Sequence, residues 1–348
     1  MNVKLGKHVA GRLLASVTLA ILACSSSMAI TRKELVSYAS SLKGLKKAEL
    51  KTALQKLLYP KQVLSYSSGY RHTWWGFWYT DRDEQTNECI NRYSSKKFYF
   101  TSNNTGKAIP GMNIEHSFPK SWWGGSKNSA YQDLYNLYPS DINGNSAKGN
   151  YPMGIVTKVK TEDKGYDKVG TGTINGKVQQ CWEPGDVYKG DFARGYMYMA
   201  VAYGKLSWSG TGLQTMTNES YPGLKQWASS LYCEWSDADK VDELERTRND
   251  AVAKIQGNRN LLVDFPYLCE YLWGDSVNVA FNPYTSVTTA TDDYRYMGVP
   301  SGIETVAAPV TPRDMMIYNL QGRAMGYSLK GLPKGVYVRR GRKFVVRH

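Results

Sequence analysis

Several things that mark common protein classes are missing from this chain of 348 residues. It has no run of eighteen apolar residues, so no ordinary membrane-spanning helix is written into it. Gly-x-Ser-x-Gly and Gly-x-x-x-x-Gly-Lys-Ser/Thr are both absent, which removes the serine-hydrolase elbow and the P-loop. Ser117-x-x-Lys120 matches a nucleophile motif, but neither Ser-Asp-Asn nor Lys-Thr-Gly accompanies it. No two cysteines are spaced Cys-x-x-Cys, and beyond residue 29 the only histidines are His72, His116 and His348. A zinc knuckle and a multi-histidine zinc centre are thereby excluded. Low aromatic content, the mark of a disordered chain, is not found either: there are 26 Tyr and 10 Trp.

Positive charge is plentiful, at +14, but its placement argues against a uniformly basic nucleic-acid surface. Lys4, Lys7 and Arg12 give +3 before residue 30; nine Lys and Arg against Asp314 give +8 over 313–348; +3 remains for 30–312. Nucleic-acid binding therefore has to be argued from a site.

The N-terminus is basic, then apolar over Leu13–Cys24, then small, with Ser27-Met28-Ala29 before Ile30. That is the layout of a secretory signal over residues 1–29. Leu22-Ala23-Cys24 partly resembles a lipid-attachment site, with a large Leu22 where a small residue is usual. Export implies an oxidising compartment, so Cys89, Cys181, Cys233 and Cys269 are expected to form disulfides, in a pairing the sequence leaves open.

Ile30–Pro60 reads as helical, opened by a Thr31/Glu34 capping box and carrying Leu35, Leu42, Leu45, Leu50, Leu54, Leu57 and Leu58 as apolar positions. Residues 30–285 read as the main domain. Residues 286–312, rich in Thr, Ser, Val and Pro, have linker composition. Residues 313–348 alternate in short Gly-punctuated β-prone runs and read as a small β-module.

Two histidines lie within the main domain. His72 precedes the aromatic block Trp74-Trp75-Gly76-Phe77-Trp78 and reads as a residue packed at the core edge. His116 sits in Asn113-Ile114-Glu115-His116-Ser117-Phe118-Pro119. Neighbours on a strand point to opposite faces, but a bend near Pro119 lets Glu115 and His116 serve one site. After the strand-like Asp133–Pro139 comes the polar run Ser140–Asn150. Asp141-x-Asn143-x-Asn145 imitates the start of a calcium loop, but Ser146 stands where Gly is needed and Pro152 where Glu is needed. Two readings stay open: a structural turn, and a hard-cation site in which Glu115 and an Asn supply oxygens while His116 takes a proton from water.

At this point the residues resemble a known family. Glu115-His116, Asp133-Leu134, Asn136-Leu137, Pro139, Asn145, Lys148, Asn150 and Pro152 are similar to the endonuclease I family of ββα-metal (His-Me finger) nucleases. Gly190–Met199, Arg246–Asp250 and Ile255–Asn260 resemble its downstream segments in the same order. The tail, with Ile317–Arg323 and Leu332–Tyr337, resembles the type IX sorting tails of secreted Bacteroidetes proteins.

The resemblance implies an α+β fold: a mixed helical domain around a ββα finger, with two strands presenting the site and a helix after Asn145. It implies His116 as general base and Glu115 and Asn145 as ligands of one Mg²⁺, for which Mn²⁺ or Ca²⁺ can substitute. The family's metal-binding Asn lies six residues after the Pro that matches Pro139, which selects Asn145 over Asn143. Where some members carry a phosphate-gripping Arg after Gly-Gly, this chain has Ser126-Lys127. Lys127, Lys148, Arg194 and Arg248 are the expected phosphate contacts. Arg194, in an apolar helix, reads equally as a buried ion-pair partner. The expectation is a monomeric nuclease, secreted or surface-held, that cuts DNA or RNA without sequence preference and leaves 5′-phosphate and 3′-hydroxyl ends. Export would run through the N-terminal signal and the tail. The rival is a noncatalytic binder of polyanions or glycans that uses the Trp-rich segment and the basic tail.

Overall fold

The computed structural model describes residues 29–297, 317–326, 332–339 and 342–346. The expected signal segment up to residue 28, with Cys24, lies outside the described residues, as do residues 298–316. The chain divides after Met297 into a large unit and a small C-terminal one.

Helix α1 (Arg32–Tyr38) starts at the capping box legible in the sequence. Thr31 Oγ1 accepts from Glu34 N at 3.3 Å and Glu34 Oε2 accepts from Thr31 N at 2.8 Å. The helical reading over residues 30–60 resolves into two helices. Gly44, at φ 84°, turns the chain in a conformation that disfavours side chains, and α2 (Lys47–Leu58) follows. Leu35, Leu50, Leu54 and Leu58 are buried. In α3 (Thr73–Thr80) Trp74 and Phe77 face the core.

Strands β1 (Met112–His116) and β2 (Leu137–Asp141) form a two-stranded antiparallel ribbon, with Glu115 opposite Tyr138 and His116 opposite Leu137. Helix α4 (Ile142–Lys148) follows at once, because the last residue of β2, Asp141, caps it by accepting from Gly144 N at 3.3 Å. Only glycine fits at 144, since a Cβ there would lie 2.5 Å from the Tyr93 carbonyl oxygen. The helix expected after Asn145 instead begins at Ile142, directly behind the Asp141 cap, and carries Asn145 within it.

Next comes an antiparallel meander of β3 (Lys158–Asp163), β4 (Asp167–Ile174) and β5 (Lys177–Pro184). Helix α5 (Lys189–Ala202) is buried on nearly every face and is the central core helix. It is flanked by α6 (Gln226–Ala238), and α7 (Glu243–Gln256) packs on α3. A short helix, α8 (Leu268–Leu272), packs against α2. The architecture is mixed α+β.

The expected linker from 286 is corrected. Residues 286–297 belong to the large unit: Thr289 N donates to the Asp264 carbonyl at 3.0 Å, and Val241 N donates to Tyr296 Oη at 2.7 Å. Their polar groups complete backbone hydrogen bonds of the body, which composition alone does not reveal.

The C-terminal unit is a four-stranded antiparallel sheet of β6 (Ile317–Asn319), β7 (Ala324–Gly326), β8 (Gly335–Arg339) and β9 (Arg342–Val346), in the order β9-β8-β6-β7. Ile317, Tyr337 and Val346 form its small core.

Candidate active site

The ββα unit gathers the motif residues around one cleft of about 520 Å³, bordered by Tyr66, Asn113, Glu115, His116, Lys120 and Asn145 among others. A larger cleft of about 720 Å³, beside Trp75, Tyr79 and Arg246, holds none of the expected base or metal ligands. Its size gives it no chemistry, so the smaller cleft is the candidate.

His116 ends β1 and is buried. Its Nε2 lies 2.9 Å from the Tyr131 carbonyl oxygen. A carbonyl only accepts, so Nε2 must carry the proton, which leaves the Nδ1 lone pair as the basic position. Tyr66 stacks on the imidazole at a centroid distance of 5.3 Å, and Tyr131 packs at 4.5 Å. Burial drives the His116 pKa down to about 3, against the opposing pull of the Tyr131 carbonyl, so the resting ring is neutral.

Glu115 is buried beside it. Burial raises its pKa, opposed by the ammonium of Lys148, whose Nζ donates to Oε1 at 2.7 Å. Asn145 and Lys148, three apart on α4, share the helix face turned to β1. Asn143, two positions from Asn145, lies exposed and does not border the cleft. Asn145 Nδ2 donates to Asn113 Oδ1 at 2.8 Å, so its side-chain oxygen is the atom left for a cation. One carboxylate and one amide oxygen on a wet cleft suit a hard divalent cation that keeps water or phosphate at its other positions. The cation that the sequence implies thus fits the residues present.

The surroundings hold these groups in place. Asn136 accepts from Phe118 N at 2.8 Å and donates to Phe118 O at 3.2 Å, which pins the bend after His116 to the turn before β2. Tyr196 on α5 donates to Ser117 O at 2.6 Å. Asp133, fully buried, accepts from Tyr198, Tyr203 and Gln256.

Three of the four expected phosphate contacts are corrected. Arg194 is fully buried and grips Glu245 with both arms of its fork, Nε to Oε1 at 2.8 Å and a terminal nitrogen to Oε2 at 2.5 Å. Arg248 is buried, binding Asp81 at 3.0 Å and the Leu134 and Leu137 carbonyls at 2.7 and 2.8 Å. Arg194 thus ties α5 to α7 and the end of α6, Arg248 braces the start of β2, and neither borders the cleft. Lys148 has no exposed surface, because it is held between Glu115 and the Trp182 ring, 5.3 Å away. Lys127 is exposed on the loop after the Lys120–Trp123 turn, but it does not border the cleft. Among the described residues, the cation that does is Lys120. Tyr66 and the Tyr131 carbonyl were missed in the sequence; the first is one tyrosine among many, and the second is a backbone atom.

An acid–histidine pair on a ββα unit, with an amide oxygen across the cleft, is an arrangement suited to cutting phosphodiesters. Residues 46–267 match the endonuclease I family, and the chain belongs to that family. It is 31% identical over 245 residues to an extracellular ribonuclease of Bacillus subtilis (strain 168), covering 68% of this chain and 78% of that protein. It is 29% identical over 254 residues to an extracellular ribonuclease of Bacillus amyloliquefaciens, covering 72% and 82%. The chain is a nuclease, which sets aside the noncatalytic binder.

Proposed function

We propose that the protein is a secreted, divalent-cation-dependent endonuclease that cuts DNA or RNA without sequence preference, with His116 as general base. The observation that carries this reading is the fixed tautomer of His116, neutral by burial and anchored through Nε2 on Tyr131, beside the oxygens of Glu115 and Asn145.

Nδ1 of His116 accepts the proton of a water that attacks phosphorus in line with the leaving 3′ oxygen. The Nε2–H bond to the Tyr131 carbonyl keeps the ring oriented and steadies the imidazolium once it forms. Glu115 and Asn145 would hold Mg²⁺, which when bound supplies positive charge to the phosphate and to the departing oxygen. Lys148 favours the ionised Glu115 carboxylate and holds it in position, and Asn113 orients the Asn145 amide. Lys120 brings a cation to the cleft for the substrate backbone. The expected products carry 5′-phosphate and 3′-hydroxyl ends. Secretion is favoured by the N-terminal signal pattern and by the extracellular relatives. The C-terminal sheet is then the sorting module.

The test is digestion of a supercoiled plasmid and of a long RNA by the purified protein, with Mg²⁺ and with EDTA, followed by end analysis of the fragments. Cutting that Mg²⁺ supports and EDTA abolishes, with ligatable 5′-phosphate ends, is expected. Equal cutting in EDTA would remove the cation from the scheme.

A further inference from the structure

We infer that Cys233 and Cys269 form a disulfide that ties helix α6 to helix α8 in the exported protein. The inference rests on the reading that the chain is exported. The sequence left three pairings open for Cys89, Cys181, Cys233 and Cys269; the fold brings together one pair, Cys233 and Cys269. The thiols of Cys233 and Cys269 lie within 4.8 Å of each other. Small side-chain rotations bring sulfurs at that separation to bonding distance, whereas thiols on unrelated elements need the backbone to move. Cys89 belongs to a two-residue strand paired with Phe98–Tyr99. Cys181 lies on β5, its sulfur against Gly172 and the Ile155 carbonyl. Among the described residues, no second cysteine is among the groups acting on either thiol.

The two residues are 5% and 3% exposed, so the bond has to close while the chain folds, before packing seals it. The oxidant is a small exchangeable disulfide of the oxidised-glutathione class. One protein thiolate attacks it and releases one small thiol; the second protein thiolate attacks the mixed disulfide and releases the other. The two protein thiols lose two electrons and two protons, and the small disulfide becomes two thiols. The bridge restrains α6, which flanks the core helix α5, and α5 in turn holds the bend after His116 through Tyr196. It closes a loop of several dozen residues of the unfolded chain, a length for which a native bridge is strongly stabilising.

Glu270 brings a carboxylate oxygen within 4.8 Å of the same sulfurs, so a thiophilic metal such as zinc is the competing occupant. Two thiolates and one carboxylate would leave a zinc ion one ligand short of its closed structural set. This favours the disulfide.

The full chain is tested in two arms. In the first, reduced and denatured protein is refolded with oxidised glutathione, alkylated under denaturing conditions, and digested with trypsin for mass spectrometry. The expected species is Gln226–Lys240 joined to Asn260–Arg295, separated by reductant, with Cys89 and Cys181 alkylated. Four alkylated cysteines, or a different pair, overturns the inference, and so does stoichiometric zinc with both thiols alkylated. In the second arm the protein is recovered from an exporting host. Four free thiols there, after pairing in the first arm, overturn the export reading and leave the pair standing. Cys233→Ser, Cys269→Ser and the double variant should each lower the melting temperature of the oxidised protein by roughly 5–10 °C, the double no more than either single. The gap should close in reductant. A double variant that loses twice as much as either single argues against a shared bond.

Discussion

The ammonium of Lys148 and the carboxylate of Glu115 meet at 2.7 Å with almost no solvent contact on either side chain. A lysine that sequence alone places on the substrate phosphate instead steadies the acid proposed to hold the cation. Removing one member of a buried ion pair leaves the other charge unpaired in a poor solvent, at a cost of about 3–5 kcal/mol. Lys148→Met should therefore lower thermal stability sharply in EDTA, and added Mg²⁺ should recover more of it than in the parent protein. Unchanged melting together with a raised KM would return Lys148 to the substrate.

The polar run after β2 gives a second expectation. Asn145 faces the cleft and Asn143 faces solvent. Asn145→Ala should raise the Mg²⁺ concentration needed for half-maximal cutting by roughly 10–100-fold, the scale seen when a metal site loses a supporting group. Asn143→Ala should stay near the parent value. A metal titration of both variants checks this, and the reverse order would shift the register of the site by two residues.

The motif around the site was readable because its members are close in sequence. Glu115 and His116 are adjacent, and Asn145 sits on the helix that directly follows the paired strand. The capping box at Thr31 and the aromatic core were legible for the same reason, since local pattern fixes them. Arg194 and Arg248 were not. Their acidic partners, Glu245 and Asp81, lie 51 and 167 residues away, so only the folded chain shows that their charge is spent internally. The anchor of His116 is a main-chain carbonyl, which no residue type announces. The packing of 286–297 was hidden because Thr and Ser suit a linker and a backbone-satisfying segment equally well.

Away from the cleft, Asp167 at the start of β4 is buried, and burial raises its pKa to about 6. A carboxyl whose folded pKa exceeds its unfolded one stabilises the fold fully below the unfolded value, near 4, and loses that contribution as pH rises through 6. Asp167→Asn, which mimics the neutral acid, should match the parent below pH 4 and exceed it by about 1–3 kcal/mol at pH 8. Parallel melting curves of the two proteins from pH 4 to 8 test this; a constant gap would mean that Asp167 does not titrate in that window.

The C-terminal sheet contributes none of the proposed base or ligands, while residues 313–348 carry +8. A chain ending at Pro312 should keep its cleavage rate and Mg²⁺ requirement at moderate salt. Its affinity for DNA should fall at low salt, with the difference vanishing at high salt as screening removes the long-range attraction. A truncated protein that folds yet cuts at no salt concentration would place the sheet in the active enzyme.

The central claim is that His116 takes the proton of the attacking water. The direct measurement is the cleavage rate of His116→Ala under saturating substrate and Mg²⁺, beside its melting curve. The account predicts a loss of about 10²–10⁴-fold, the usual contribution of a general base, with substrate binding retained. A variant that melts normally and cuts at close to the parent rate would contradict it.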